Sequence, residues 1–294
     1  MTGRIIRGVG GFYFVHDGEH IYQCRAKGIF RLNHEKPLVG DRVEFSTVLD
    51  SEIENAGNID RILPRTSRLV RPELANVSRI FLVFSVRMPE PNFDMLNRYL
   101  CMVHDTEIPV TLVVNKCDLA REGELERITE AFKGSGYPVH LISVRENRGV
   151  EALREMMEGS LSCLAGPSGV GKSSLMNLLL KDEMMETGAL SRKIGRGKNT
   201  TRHSEIFCLG GDSYLCDTPG FTSVDVSFID KEELDLYFNE FVPYLPNCRY
   251  LRSCSHIREK ECAVKQAVEQ GKIARGRYES YVRIYDALAE IRRY

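Results

Sequence analysis

Leu161-Ser-Cys-Leu-Ala-Gly-Pro-Ser-Gly-Val-Gly-Lys-Ser-Ser-Leu175 reads as an apolar strand, a glycine-rich loop and the first turn of a leucine-rich helix. The loop fits G-x-x-x-x-G-K-[ST] in the context that gives this pattern its meaning. Gly166, Gly169 and Gly171 free the backbone to turn its N–H groups inward around phosphate oxygens, and the helix N-terminus behind them adds a favourable dipole. On this reading Lys172 reaches the β- and γ-phosphates, Ser173 ligates Mg²⁺ and Ser174 donates to the α-phosphate. Pro167, Ser168 and Val170 complete the cradle. Such a loop calls for a nucleoside triphosphate and leaves the base open.

The base is read from Asn115-Lys-Cys-Asp118, which ends the apolar run Pro109-Val-Thr-Leu-Val-Val114. A carboxylate at Asp118 can accept from both N1–H and the 2-amino group of guanine, a pairing adenine does not offer. Asn115 would support the base, the stem of Lys116 would lie along its plane, and Cys117 completes the motif. Ser143 closes the next strand, in Leu141-Ile-Ser-Val-Arg145, and contacts guanine through the backbone that follows it. Asp217-Thr-Pro-Gly220 fits D-x-x-G, whose Asp holds Mg²⁺ through water and whose Gly N–H senses the γ-phosphate. Between loop and D-x-x-G lies Gly195-Arg-Gly-Lys-Asn-Thr-Thr-Arg202, a polar segment read as a switch in which Thr200 or Thr201 meets Mg²⁺ when GTP is bound. Phe221 follows, where many GTPases carry the glutamine that orients water, so slow unassisted hydrolysis is expected.

These elements stand in an unusual order. Ordinary GTP-binding domains place the phosphate loop first and N-K-x-D after it; here N-K-C-D leads, which implies a circular permutation. It also sets the γ-phosphate-sensing segment directly before the C-terminal part of the chain, so a switch movement could be passed mechanically into that part.

Working outward, Arg79-Ile-Phe-Leu-Val-Phe84 and Val110–Val114 are near-continuous apolar runs, as strands covered on both faces require. His140–Ser143, Leu161–Ala165 and Ser213–Cys216 continue the series, with helices expected over Met95–His104, Glu124–Lys133, Val150–Met157 and Lys172–Leu180. The expectation is a three-layer α/β domain with a mostly parallel sheet, over residues 67–228. Ahead of it, residues 1–66 alternate short β-like runs with glycine turns: Gly11–Val15, Ile21–Ala26, Asp41–Phe45 and Asn58–Ile62. That spacing suggests an OB-fold barrel. Such a barrel serves nucleic-acid binding or docking alone, and the pattern leaves both open.

Residues 229–294 read as a helical, zinc-binding domain. A helix is expected over Lys231–Phe241, another over Ala263–Gln270 ending at Gly271, and a last one whose stripe of Tyr278, Tyr281, Tyr285, Leu288 and Ile291 packs as core. Among nine cysteines, Cys24, Cys101, Cys117, Cys163, Cys208 and Cys216 are scattered singly and read as reduced core residues. The rest form Cys248-x5-Cys254-x-His256-x5-Cys262, a complete Cys₃His set for one structural Zn²⁺ with no position left open for chemistry. From Cys248 onward eleven Lys/Arg face six Asp/Glu. Arg249, Arg252, Arg258, Lys260, Lys265, Lys272, Arg275 and Arg277 could therefore meet phosphates, or form a solvated face.

Whole-chain composition adds bounds rather than identity. The 294 residues are 43% hydrophobic and carry forty basic against forty-one acidic groups, a folded composition with no global polyanion signal. No run approaches the roughly 18 apolar residues of a membrane span, and Met1-Thr-Gly-Arg-Ile-Ile-Arg7 has no apolar signal core, so a cytoplasmic protein without a membrane partner is expected.

Taken together, N-K-C-D, G-P-S-G-V-G-K-S-S, the G-x-x-T-T loop, D-T-P-G-F, C-x-H-x5-C and the tail Arg277-Tyr-Glu-Ser-Tyr281 resemble the small-ribosomal-subunit-dependent GTPase A (RsgA/YjeQ) family over the whole chain. The resemblance implies an OB-fold barrel, a permuted GTPase domain and a zinc domain in that order. It also implies a monomeric late assembly factor that contacts 16S rRNA and hydrolyses GTP to GDP when the small ribosomal subunit is engaged. Many members carry a His before the paired threonines, with a catalytic role; here the position is Asn199, whose amide can position water but is no general base. The loop is also similar to that of guanylate kinases, but transfer of phosphate to GMP would have no use for N-K-C-D or a zinc tail. An RNA-binding module holding GTP as a structural ligand is the alternative outside enzymes.

Overall fold

The computed structural model describes residues 1–28, 30, 35–48, 53–70, 72–186, 205–217 and 224–291. Two compact units share the chain: Met1–Phe81 with Gly149–Ala165 and Gly171–Phe221, and Leu82–Arg148 with Gly166–Val170 and Thr222–Tyr294.

In the first unit, strands β1 (Thr2–Val9), β2 (Phe12–His16), β3 (Ile21–Ala26), β4 (Arg42–Thr47) and β5 (Ala56–Ile62) close into a barrel in the order β1-β2-β3-β5-β4. Closure removes the unpaired edges that a small sheet otherwise exposes. Inward positions Ile5, Val15, Cys24, Val43 and Ile59 are fully buried and Phe45 nearly so. The alternation expected from the sequence is therefore real, and β1 is added to it. Asp41, fully buried, accepts from Arg65 Nε and Nη2 at 2.7 Å each and from the Leu38 N–H at 2.7 Å, which satisfies a charge that burial alone would penalise. After the short pair β6 (Arg68–Leu69) and β7 (Leu74–Ala75), β8 (Arg79–Ser85) begins a six-stranded sheet.

That sheet runs β10-β9-β8-β11-β13-β12, with β9 (Val110–Asn115), β10 (Val139–Leu141), β11 (Leu161–Ala165), β12 (Ile206–Cys208) and β13 (Tyr214–Asp217). All of β9 and β11 is buried, as continuous apolar runs predict. The β9–β10 and β11–β13 pairs are parallel, and β12, which the sequence pattern does not announce, pairs antiparallel to β13. Helices α1 (Phe93–His104), α2 (Glu124–Ala131), α3 (Val150–Glu155) and α4 (Lys172–Glu186) fall where helical periodicity places them. Within the first unit the barrel rests on the β12–β13 hairpin. Arg4 and Arg42 both pair with Asp212, and His16 Nδ1 lies 2.8 Å from the Tyr214 hydroxyl.

In the second unit α5 (Ala263–Glu269) and α6 (Arg275–Glu290) follow a stretch that departs from expectation. Lys231–Phe241 is not an α-helix; only Leu234–Tyr237 forms a 3₁₀ turn, and Phe238 leaves helical space at φ −112°, ψ 89°. Tertiary demand overrides the local pattern. Leu234, Phe238 and Phe241 are all fully buried, Tyr237 donates to Asp105 at 2.8 Å, and Asp235 is engaged elsewhere, as described below. The aromatic stripe of α6 is core as expected, with Tyr281 and Leu288 buried and Ile284 added to it, although Ile291 at its end is exposed. Of the six singly placed cysteines all are buried except Cys208, which is half-buried. No helix among the described residues is long and apolar enough to cross a membrane.

Candidate functional site

The Asn115–Asp118 segment sits in the second unit at the end of β9. Asn115 is 2% exposed, and both ends of its amide are used by the protein: Nδ2 donates to the Val170 carbonyl at 2.9 Å and Oδ1 accepts from the Val144 N–H at 3.2 Å. It therefore ties the phosphate loop to the loop after β10. Lys116 adopts a left-handed φ of 63° and donates from Nζ to the Gly169 carbonyl at 2.8 Å and to the Met88 carbonyl. Cys117 is buried, with Sγ donating to the Val114 carbonyl at 3.2 Å. Asp118 Oδ1 accepts from the buried Ser143 hydroxyl at 2.6 Å. Arg145 stands 3.9 Å from Oδ2 and was not singled out by the motif, having only its place after Ser143 to mark it. Ser143 Oγ in turn accepts from the Glu146 N–H at 3.2 Å. The Asp118 carboxylate is thus oriented by the buried Ser143 hydroxyl, itself held by the Glu146 N–H, while Arg145 approaches it from solvent.

The phosphate loop has the backbone its glycines allow, with φ of 131° at Gly166, 79° at Gly169 and 100° at Gly171. Val170 is buried, Ser168 and Gly169 are exposed, and the Leu175 N–H bonds the Gly171 carbonyl at 2.9 Å to start α4. Lys172, Ser173 and Ser174 are thus the first residues of that helix. In the parallel β11–β13 pair Leu164 is the register partner of Asp217, the last residue of β13. Gly195–Arg202, with Asn199, Thr200 and Thr201, lies outside the described residues, as do Gly220 and Phe221.

Cys248, Cys254, His256 and Cys262 converge in the second unit, all buried, with their ligand atoms within 4.8 Å of one another. A tetrahedral zinc with bonds of about 2.3 Å to sulfur and 2.0–2.1 Å to nitrogen needs edges of roughly 3.6–3.8 Å. Here Cys248 Sγ and Cys262 Sγ are 3.9 Å apart, and His256 Nδ1 lies 3.5 and 3.3 Å from them. Burial pushes the Cys254 thiol up to about 12. Cys262 resists the same push and is drawn down to about 7, chiefly by the His256 imidazole. A divalent cation supplies the positive charge that ionises all three sulfurs, so the donor set fits a metal. His256 Nε2 meets Asp235 Oδ2 at 3.1 Å, the outer carboxylate that fixes a metal-binding imidazole in its tautomer. No spacing rule links Asp235 to the cluster, because it arrives by tertiary packing. Asp235→Ala is expected to weaken metal binding about 10- to 100-fold, with Asp235→Asn milder, in competition against a chromogenic chelator.

The basic tail divides. Arg277 does not face solvent: 2% exposed, it donates to Glu240 from Nε and Nη2 at 2.6 and 3.0 Å and to Asn97 at 2.5 Å. Lys265 is half-buried and donates to the Ile257 and Glu259 carbonyls at 3.2 and 3.0 Å. The other six candidates, Arg249, Arg252, Arg258, Lys260, Lys272 and Arg275, are exposed.

A guanine-type motif ahead of a phosphate loop on an α/β sheet, a closed barrel before them and a Cys/His cluster behind define a circularly permuted P-loop GTPase. Residues 62–227 match the RsgA GTPase family and residues 2–54 the RsgA N-terminal domain. The chain belongs to the RsgA GTPase family and is a GTP hydrolase. It is 43% identical over 305 positions, spanning all of both chains, to the small ribosomal subunit biogenesis GTPase RsgA of Agathobacter rectalis. It is 45% identical, over 98% of each chain, to the protein of that name from Clostridium perfringens strain SM101. Its fold is similar to YjeQ from Thermotoga maritima, with TM-score 0.80, 35% identity and 99% of each chain covered. YloQ, a circularly permuted GTPase, matches with TM-score 0.78 and 32% identity over 100% of this chain and 96% of its own.

Proposed function

We propose that this GTPase is a late-stage assembly factor of the small ribosomal subunit, acting in the cytoplasm as a monomer, binding 16S rRNA and hydrolysing GTP faster when the subunit is engaged. The names of full-length relatives support the subunit as partner. The observation that carries the nucleotide half is the double use of Asn115, which braces the loop at Val170 and the backbone at Val144 around Asp118. In this reading Asp118 accepts from guanine N1–H and the 2-amino group, with Lys116 and the backbone after Ser143 beside the base. Residues Gly166 to Ser174 cradle the phosphates, Lys172 neutralises charge on the β- and γ-oxygens, and Ser173 with Asp217 holds Mg²⁺. Thr200, Thr201 and Gly220 sense the γ-phosphate, and Asn199 can orient water without taking its proton. The Cys₃His cluster holds a structural Zn²⁺, which ties its loop together and takes no part in hydrolysis. The domains of this reading are residues 1–66, 67–228 and 229–294.

GTP turnover measured with and without purified small subunits tests the reading. The isolated protein is expected to turn over well below about 1 s⁻¹, like unassisted GTPases that lack a water-orienting residue, and added subunits to raise the rate at least about tenfold. Fast turnover alone, or no stimulation, overturns it.

A further inference from the structure

Arg87 lies two residues beyond the end of β8 and belongs to none of the nucleotide-binding motifs. Its guanidinium grips both carboxylate oxygens of Glu124, the first residue of α2: Nε donates to Oε2 at 3.0 Å and Nη2 to Oε1. Each side chain is less than a fifth exposed. Glu124 Oε2 also accepts from the Arg121 N–H at 2.8 Å, three residues past Asp118. A forked pair of this kind fixes the planes of both groups as well as balancing their charge. It therefore staples the chain after β8 to the chain that leaves Asn115–Asp118.

What the staple positions is a carbonyl. Met88, next to Arg87, holds a left-handed φ of 49°, a conformation that a residue with a Cβ keeps only where its surroundings impose it. Packing of its side chain does not impose it, because Met88 is 67% exposed. The flanking chain does. The Val86 N–H bonds the Asn115 carbonyl at 3.0 Å and Ser85 Oγ donates to the Pro89 carbonyl at 2.8 Å, with the Arg87–Glu124 pair between them. The Met88 carbonyl accepts from Lys116 Nζ, whose other partner is the Gly169 carbonyl at 2.8 Å. One ammonium is thus shared between the phosphate loop and the chain after β8, and the second anchor depends on Arg87. We propose that Arg87 is a positioning residue for the guanine nucleotide: paired with Glu124, it fixes the Met88 carbonyl, which holds the Lys116 ammonium and so sets the lysine stem against the base. The inference rests on the placement of Lys116 beside guanine proposed above.

The test measures, in the full-length protein, affinity for a fluorescent GDP analogue, competition by unlabelled GTP, and steady-state GTP turnover. Arg87→Met is expected to weaken GDP and GTP alike by about tenfold, within the worth of one hydrogen bond to a charged group, because the base is common to both. KM should rise while kcat stays within about twofold, since no group at the γ-phosphate is disturbed. Arg87→Lys, which keeps the charge and loses the fork, should fall between. In a Lys116→Ala background Arg87→Met should cost nothing further, because its route to the nucleotide is gone. A full, additive loss in that background would mean that Arg87 only stabilises the fold, and overturns the inference. Wild-type affinity in Arg87→Met overturns it as well, as does a loss confined to kcat. Thermal stability is followed for every variant; where Arg87→Met does not fold, the same cycle run with Arg87→Lys and with Glu124→Gln decides by the same criteria. A defect in Lys116→Ala with none at Arg87 sinks the inference alone, whereas Lys116→Ala binding as tightly as wild type sinks the placement of Lys116 and the inference with it.

Discussion

Gly166→Ala should abolish nucleotide binding or prevent folding of the loop altogether. A Cβ built at Gly166 would lie 2.0 Å from the Val83 carbonyl oxygen and 3.0 Å from its carbon, both backbone atoms of β8. Val83 is fully buried within the sheet and has no room to withdraw. The backbone φ of 131° at Gly166 adds a second penalty, because residues with a Cβ scarcely populate that region. Gly169→Ala is the control: at φ 79° it meets nothing closer than Pro89 Cδ at 3.7 Å, an ordinary contact. It should cost only about 1–2 kcal/mol of backbone strain. Affinity for a fluorescent GTP analogue, with thermal stability measured alongside, is expected to fall more than about 100-fold for Gly166→Ala and much less for Gly169→Ala. Equal, mild effects at the two positions would show that the approach of Val83 does not constrain the loop.

The contrast between these glycines marks where sequence reading stops. That the loop needs glycine follows from its pattern; which glycine is hemmed in by a strand depends on β8, distant in the chain. The same division runs through the molecule. Strands β8, β9 and β11 are legible because burial on both faces writes an unbroken apolar run, and Ile21–Ala26 because alternation on a barrel wall is local. Strand β1 escapes because Arg4 and Arg7 interrupt its apolar residues, and only the structure shows Arg4 to be 5% exposed and paired with Asp212. The Cys/His cluster announces itself by spacing, whereas Asp235 does not, since a partner through the far nitrogen of His256 is chosen by packing. Lys231–Phe241 carries buried residues at helical intervals and still forms mostly turns, because Asp235, Tyr237 and Phe238 each answer to a different tertiary neighbour. Arg277 makes the same point about charge: its residue type suggests a phosphate, and its environment assigns it to the core.

That environment sets the second large effect. Arg277 and Glu240 are 2% and 5% exposed and joined by two hydrogen bonds, with Asn97 on α1 accepting a third. Burial opposes the Arg277 charge, but the Glu240 carboxylate outweighs it and holds the guanidinium above its ordinary pKa. Its Cζ also lies 4.6 Å from the centroid of the Phe238 ring. Arg277→Met would leave a buried carboxylate with no counter-charge and the Asn97 carbonyl with no donor from this site. Removing one member of such a pair costs about 3–5 kcal/mol. Glu240→Leu should cost a similar amount by stranding the guanidinium. The double variant Glu240→Leu/Arg277→Met removes both charges together, and replacing a buried pair by apolar groups of similar volume is often neutral or stabilising. It should therefore recover most of what either single change loses. The measurement is the urea midpoint of metal release, followed with a chelating dye in the full-length protein, for wild type, both single variants and the double. Single variants near wild type would mean water relaxes around the stranded charge. A double variant as weak as the sum of its parts would mean that the pair acts through packing on α1 and Phe238 rather than through charge. Near-recovery would show that charge balance, and not any contact with RNA, is what requires arginine at position 277.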